Sequence, residues 1–518
     1  MSPGGLRPTV QRVSQDEESV PDEEREALLT IANGAVVASG GYLGERALTT
    51  LLEAVLARGL GPVAYGVYAL AWRFAQLLVR LVTFGSVPAL QRYLPAYEDE
   101  PRRRSAVVGL AYATTLVFGA VLATLVWVSA PRINDLTVGE PLFPATLRLF
   151  GVLVTLLGVI GISAGVFRAV RSARGEAVLN RLLRPVARLL GGVGALSLGY
   201  SAAGVAGGIV VCTGLLAVTL VPLTGRLTAI HATLRGTRAE ARRFYDHAVP
   251  AVMSRFGKVF QNRLDVLLVG LLLTASAAGV YNAVLVLVTL AWIPLRSFNQ
   301  LLPPVASELY DSGRLEPLNA VYTSVTRLIV TTVVPVLAVF VAFGPTLLGV
   351  FGPAYTRGYE PLVVYLGGVF VGSAVGATGW LLMMTDHQYA RMALDWLLAV
   401  LNLGLTYAFV RRFGLTGAAL GTSLAIAVQN GIQVVLLRRF EGLWPFDRTF
   451  LPPLGAGLVA LGVMWAVRLT VSGWPAVAVG GPLGVGVYLA VLGGYGVDPR
   501  DRLVVRTLTD AYRGKLGG

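Results

Sequence analysis

The chain has 518 residues and a formal net charge of +14, yet only 14% of it is charged, 55% is hydrophobic and the mean hydropathy is +0.67. A soluble protein carries about 25% charged residues. The composition therefore excludes a soluble multidomain enzyme, whose polar surface and loops are missing, and points to a chain that crosses a membrane many times. The positive charge is not gathered into one patch with interleaved aromatics, so it does not read as a nucleic-acid surface.

Residues 1–27 include the acidic stretch SQDEESVPDEERE (14–26). No basic segment leads into a short apolar core, so this reads as a disordered cytoplasmic tail and not as a cleavable leader. Apolar runs follow near 29–54, 64–90, 106–130, 146–168, 182–199, 202–224 and 250–274. Further runs lie near 277–300, 322–350, 361–384, 389–410, 415–436, 451–471 and 474–496. They predict an all-α polytopic membrane protein of about fourteen transmembrane helices. Cys212 is the only cysteine, and His231, His247 and His387 are scattered through polar connections. Neither a disulfide nor a metal site is expected, and no cofactor is called for.

Arginine marks the ends of the runs. Connections after even-numbered runs hold Arg102, Arg103 and Arg104, then Arg171, Arg174 and Arg181, then Arg226, Arg235, Arg238, Arg242 and Arg243. Connections after odd-numbered runs are short and poorer in cations, with Arg411 and Arg412 as the exception. By the positive-inside rule both termini lie in the cytoplasm of a multi-pass protein of the cell membrane.

The stretch GVYAL (66–70) returns as GVYNA (279–283), and SAAGVAGG (201–208) as GLTGAALG (414–421). Both pairs are offset by 213 residues, which argues for duplication of a six-span unit. An even number of spans gives both halves the same orientation, related by a pseudo-twofold along the membrane normal, with a central site between them. The expected organisation is a tail (1–27), an N-lobe (28–225), a cytoplasmic linker (226–248), a C-lobe (249–438), two further helices (449–496) and a cytoplasmic tail (497–518).

Polar side chains fall on single faces of particular spans. Arg255, Lys258, Asn262 and Asp265 lie within an arc of roughly 80° on span 7. Span 1 carries Ser39, Tyr42, Arg46, Thr49 and Glu53 at helical spacing, and span 2 carries Arg73, Gln76 and Arg80. Span 8 carries Asn282, Thr289, Arg296 and Asn299, and span 11 has Arg391 and Asp395 spaced for an ion pair. A charge at the bilayer midplane costs ~2.5–3.5 kcal/mol, so these faces need a wet cavity or a partner. Polar faces on the leading spans of both halves predict one cationic cavity for an anionic headgroup, since arginine matches phosphate oxygens. The candidate headgroup residues are Arg46, Arg73, Arg255, Lys258 and Arg296; for Lys258 and Arg296 the competing role is snorkelling to the interface. Glu53 and Asp265 are candidates for ion coupling or for counter-ions, Asp265 to Arg255 or Lys258, while a structural bridge to Glu53 is the competing role for Arg80.

LGPVAYGVYALAWRFAQLLVRLVTFGSVPALQRYLP (60–95) resembles the span 1–2 junction of the polysaccharide transporter family, the oligosaccharide flippases of the multidrug/oligosaccharidyl-lipid/polysaccharide (MOP) exporter superfamily. RLDVLLVGLLLTASAAGVYNAV (263–284) resembles the start of that family's second lobe, and FGLTGAALGTSLAIAVQNGIQVVLL (413–437) its span 11–12 junction. The resemblance implies two six-helix lobes in a V with alternating access, plus two C-terminal helices, and a polyprenyl-linked sugar as cargo. In lipid II flippases of the superfamily, arginines of spans 1, 2 and 8 surround the cavity, and Arg46, Arg73 and Arg296 stand in the corresponding spans.

The leading expectation is a flippase for polyprenyl-(pyro)phosphate-linked oligosaccharide. Its partners would be that lipid, the membrane and the glycosyltransferases or polymerases of glycan assembly, with no nucleic acid. The alternative, a multidrug exporter of the MATE type for organic cations, needs a net acidic cavity. An enzyme needs an acid/base constellation or a sizeable external loop, and the sequence offers neither.

Overall fold

The computed structural model describes residues 21–259, 264–300 and 302–495. Among these residues all regular secondary structure is helical. The first half comprises α1 (Asp22–Val82), α2 (Ser86–Ala96), α3 (Pro101–Leu136), α4 (Phe143–Ala169), α5 (Ala173–Val178), α6 (Arg184–Ser197) and α7 (Ala202–Thr228). A π-helical turn, Leu179–Leu183, joins α5 to α6. The second half comprises α8 (Thr237–Val259), α9 (Leu264–Leu272), α10 (Ala275–Ala291), α11 (Ile293–Phe298), α12 (Leu302–Asp311), α13 (Leu315–Leu348), α14 (Tyr359–Ala374), α15 (Thr378–Met384) and α16 (Gln388–Glu441). Two last helices follow, α17 (Leu451–Thr470) and α18 (Trp474–Gly494). The tail expected at 497–518 lies outside the described residues, as does residues 1–20 of the other. Helix α1 already begins at Asp22, entered through Pro21, whose fixed φ suits a helix start. The connection expected at 226–248 is shorter, because α7 runs to Thr228 and α8 starts at Thr237.

Two of the long helices are folded back on themselves. Gly61 has φ 73° and ψ 171°, and Gly414 has φ 58° and ψ −133°, conformations a helix interior does not contain. The Tyr65 hydroxyl donates to Glu53 at 2.9 Å across 12 residues, which a continuous helix would hold about 18 Å apart. Asn402 donates to Thr422 across 20 residues at 3.0 Å in the same way. Each of α1 and α16 is thus two antiparallel arms, and the expected spans 1, 2, 11 and 12 appear, with span 2 ending at Val82 instead of near residue 90 because the chain turns at Gly85 into α2.

The 213-residue offset is visible as a symmetric contact. A Cβ on Gly66 would overlap the Ala275 carbonyl oxygen, and one on Gly279 would meet the Pro62 carbonyl oxygen. Pro62 and Ala275 are themselves 213 apart, so each half presents the same patch to the other, as an isologous two-fold contact does. Gly208 and Gly421, another pair at this offset, sit where span 6 crosses span 5 at Gly191 and where span 12 crosses span 11 at Leu405 and Thr406. Small residues let backbones approach closely where no hydrophobic effect drives helices together, because the surrounding lipid is equally apolar. Large apolar side chains face outward instead, among them Leu215, Val218, Leu458 and Leu469.

The halves meet along two seams. At the hairpin end Gly66 packs on Gly279, Tyr65 and Tyr355 make an edge-on ring contact at 5.9 Å, and Tyr355 donates to the Ala57 carbonyl at 3.0 Å. Toward the N-terminal end of α1, Ser39 donates to Ser297 at 2.8 Å and Gln300 to Tyr42 at 2.7 Å. The polar residues of span 1 between these seams face a cavity.

Candidate substrate cavity between the lobes

The cavity has a volume of about 470 Å³. The first arm of α1 contributes Arg46, Thr49, Thr50 and Glu53 to its wall, and the second arm contributes Trp72, Arg73, Gln76, Leu77, Val79 and Arg80. Arg184 and Arg188 come from α6, Leu157 from α4, Leu267 from α9, Leu285, Val286 and Thr289 from α10, and Arg296 from α11. Six arginines and a single carboxylate leave a formal charge of +5 on the described lining residues.

The spacing of these residues explains the geometry. Arg46, Thr49, Thr50 and Glu53 recur at three and four residues, so one face of the first arm enters the cavity. Arg73, Gln76 and Arg80 do the same on the second arm, because the turn at Gly61 lays the arms side by side. On α6, Arg184 and Arg188 are one turn apart and point together.

The electrostatics are asymmetric. Arg188 pairs with Glu53 at 2.6 Å, also donates to the Tyr68 hydroxyl at 2.5 Å, and lies over the Trp72 ring at 3.8 Å. Its Nε is buried and has no acceptor among the described residues. Glu53 accepts from Tyr65 with its other oxygen, Asn282 donates to Tyr65 at 2.8 Å, and Arg73 donates to Asn282 at 2.8 Å. This chain of bonds crosses from the N-lobe to the C-lobe and back. Arg46 and Arg184 make no hydrogen bond or ion pair among the described residues; like-charged Arg188 and oppositely charged Glu45 both act on Arg184.

The structure brings together Arg46, Glu53, Arg73 and Arg296 of the sequence candidates. Arg296 is exposed into the cavity, so it is part of the wall. The side chains of Arg255 and Lys258 lie outside the described residues. Asp265 is not on the wall. It is buried, accepting from Tyr281 of α10 at 3.1 Å and from the Val266 amide at 2.9 Å. The partner of Glu53 is Arg188 and not the Arg80 weighed for it, since α6 packs against the first arm of α1. Arg391 and Asp395 pair at 3.0 Å as their spacing predicts. Sequence reasoning missed Arg184 and Arg188. The available signal was two arginines four residues apart inside an apolar run, which is not where topology charges belong.

A helical protein of two hairpin-built halves around a cationic cavity has the architecture of a MOP-superfamily transporter. A lipid II flippase, MurJ, in an inward closed conformation superimposes with a TM-score of 0.72, 14% identity, and coverage of 89% of this chain and 98% of MurJ. An inward-facing MATE-family multidrug resistance transporter gives 0.66, with 15% identity over 77% of this chain and 94% of its own. At these identities the likeness is one of fold. The chain belongs to the polysaccharide biosynthesis protein family, whose sequence model matches residues 55–360. It is also 23% identical over 231 residues to a probable low-salt glycan biosynthesis flippase, Agl15, of Haloferax volcanii. That match spans 44% of this chain and about half, 49%, of Agl15. Family, fold and apolar helices together make this a multi-pass membrane protein.

Proposed function

We propose that this protein is a flippase that carries a polyprenyl-(pyro)phosphate-linked oligosaccharide across the cytoplasmic membrane by alternating access. The observation that carries the reading is the cavity between the lobes, with six arginines and one carboxylate among the described residues of its wall. A cation is repelled from such a site, which disfavours the exporter reading despite the shared fold. An anion is attracted by fixed charges in a poorly hydrated space, where Coulomb interactions are stronger than in water. In this reading the phosphate groups enter against Arg46, Arg73 and Arg296, and the sequence pattern of span 7 adds Arg255 and Lys258 as further candidate contacts. The sugars fill the polar part of the cavity and the isoprenoid tail stays in lipid between the lobes. Breaking one seam while the other holds then exposes the headgroup to one side and afterwards the other. No bond in the cargo is made or broken. Glu53 serves as the counter-ion that fixes Arg188, and Asp265 as a buried acceptor that fixes Tyr281. Both termini face the cytoplasm, and the glycosyltransferases and polymerases of glycan assembly supply and consume the cargo.

The test is outward delivery of the lipid-linked glycan in cells carrying Arg46→Ala or Arg46→Lys. The proposal expects a severe loss in the alanine variant with intact precursor accumulating on the inner side, and partial retention in the lysine variant, which keeps the charge and loses the planar fork. Normal delivery in both would remove Arg46 from the site.

A further inference from the structure

A second, smaller cavity of about 160 Å³ adjoins the cationic one, and Leu267 of α9 lines both. The two differ in chemistry. Thr137 is the one polar side chain among the described lining residues of the smaller cavity, and its hydroxyl is bonded back to the Ile133 carbonyl. The space is therefore a hydrocarbon slot.

The sequence builds this slot from two facing stripes. Leu70, Phe74 and Leu77 recur at four and three residues on the second arm of α1, so they share one face. Leu70 and Phe74 line the slot and Leu77 the cationic cavity, so one apolar stripe runs from the first to the second. Leu267 and Leu271, one turn apart on α9, form the opposing stripe. Gly270 lets the two approach, since a Cβ there would overlap the Leu70 side chain. Burial gives the slot a direction. Leu70 is 1% exposed, whereas Leu271 of α9 and Leu403 of α16 are 43% and 44% exposed. The slot thus leads from the cavity wall to the apolar outer surface of the protein.

Resting on the flippase reading, we infer that this slot between span 2 and span 7 holds the polyprenyl chain of the cargo while its phosphates are on the cavity arginines. A polyprenyl phosphate changes from ionic to hydrocarbon across one ester oxygen. A headgroup held in the cavity therefore needs an apolar path that begins at the cavity wall, where leaving the chain in water is unfavourable. Leu267 stands at that boundary. Where the first arm of α1 meets α11, the described contacts Ser39–Ser297 and Gln300–Tyr42 are polar and offer a hydrocarbon chain nothing. A phospholipid keeps its headgroup at the membrane surface, so its acyl chain has no relation to the wall shared with the cavity.

The experiment uses the full chain in nanodiscs. One probe is a polyprenyl-diphosphate disaccharide with a diazirine in its isoprenoid chain, and the control probe is phosphatidylglycerol with a diazirine in an acyl chain. Illumination is expected to label peptides carrying Phe74 and Leu271 with the first probe, and excess unlabelled polyprenyl-diphosphate disaccharide to abolish that label. Leu271→Trp and Leu403→Trp fill the mouth of the slot from two different helices at exposed positions. Each is expected to weaken binding of the polyprenyl lipid about tenfold, the equivalent of about two buried methylenes. The same disaccharide diphosphate on a single isoprene unit should bind both variants as it binds the wild type. Displaceable label on other helices, or unchanged polyprenyl binding in both variants, would overturn the slot and leave the flippase reading standing. Equal labelling of the slot by phosphatidylglycerol, undisplaced by cargo, would make it an ordinary lipid crevice and also overturn the inference alone. Failure of the wild type to bind either diphosphate lipid would overturn the flippase reading and the inference with it.

Discussion

Glu53 meets Arg188 at 2.6 Å and Tyr65 at 2.9 Å, with the two charged side chains 6% and 12% exposed. A pair this enclosed gains little over a well-packed apolar pair, but removing one partner strands the other charge. Arg188→Leu or Glu53→Ala is therefore expected to destabilise the detergent-solubilised protein by about 3–5 kcal/mol. The double variant Glu53→Gln/Arg188→Gln should recover part of that loss, because no charge is then stranded. Thermal unfolding of the single and double variants measures it, and additive losses would mean that the pair is not coupled. The sequence disclosed half of this arrangement. Glu53 and Arg46 fall on one face of one helix, a relation that depends only on spacing. The partner of Glu53 lies 135 residues away on a different helix, and no local pattern encodes which of several arginines will arrive there.

Helix α8 shows how the start of an element is tied down. Arg103 at the start of α3 donates to Glu240 near the start of α8 at 2.7 Å, Tyr97 donates to the same carboxylate at 2.9 Å, and the Arg103 guanidinium lies 3.8 Å over the Tyr97 ring. The hydrogen bond from Arg103, then that from Tyr97, holds the Glu240 carboxyl below the usual carboxylate range against the opposing effect of burial. With a depressed value, the folded protein binds fewer protons here than the unfolded chain. The contribution is complete above the ordinary carboxylate range and is lost as pH falls through the lowered folded value. Melting temperature should hence be level near neutral pH and fall on acidification. The fall should be shallower in Glu240→Gln, which has no proton to gain; parallel curves for the two proteins would refute this role. At the same scale, apolar runs and turn glycines marked nearly every span. The boundaries of the connection before α8 and the π turn before α6 were not legible, since both depend on how neighbouring helices pack and not on local composition.

At the scale of the whole molecule, the repeat was readable as an offset, and the structure shows it as a contact between matching patches of the two halves. Gly66 and Gly279 meet across the pseudo-twofold at the hairpin end, while Ser39 and Ser297, with Tyr42 and Gln300, close the other. From Ser39 to Glu53 an α-helix rises about 21 Å, so the cavity arginines sit between two separable closures. Arg73 belongs both to the cavity wall and, through Asn282 and Tyr65, to the bonds that cross the hairpin-end seam. In the proposed transport cycle, an anion that draws Arg73 toward the cavity would compete with that crossing and so loosen one closure. The fold places one set of arginines on α1 and α6 and another, Arg296, on α11 of the opposite half, and the account stands on both halves holding one anion. The most direct measurement is the affinity of the full chain in nanodiscs for a polyprenyl-diphosphate-linked disaccharide, with Arg46→Ala, Arg296→Ala and the double variant compared with the wild type. Each single variant is expected to bind about tenfold more weakly and the double variant more weakly still. Wild-type affinity in both single variants would contradict it.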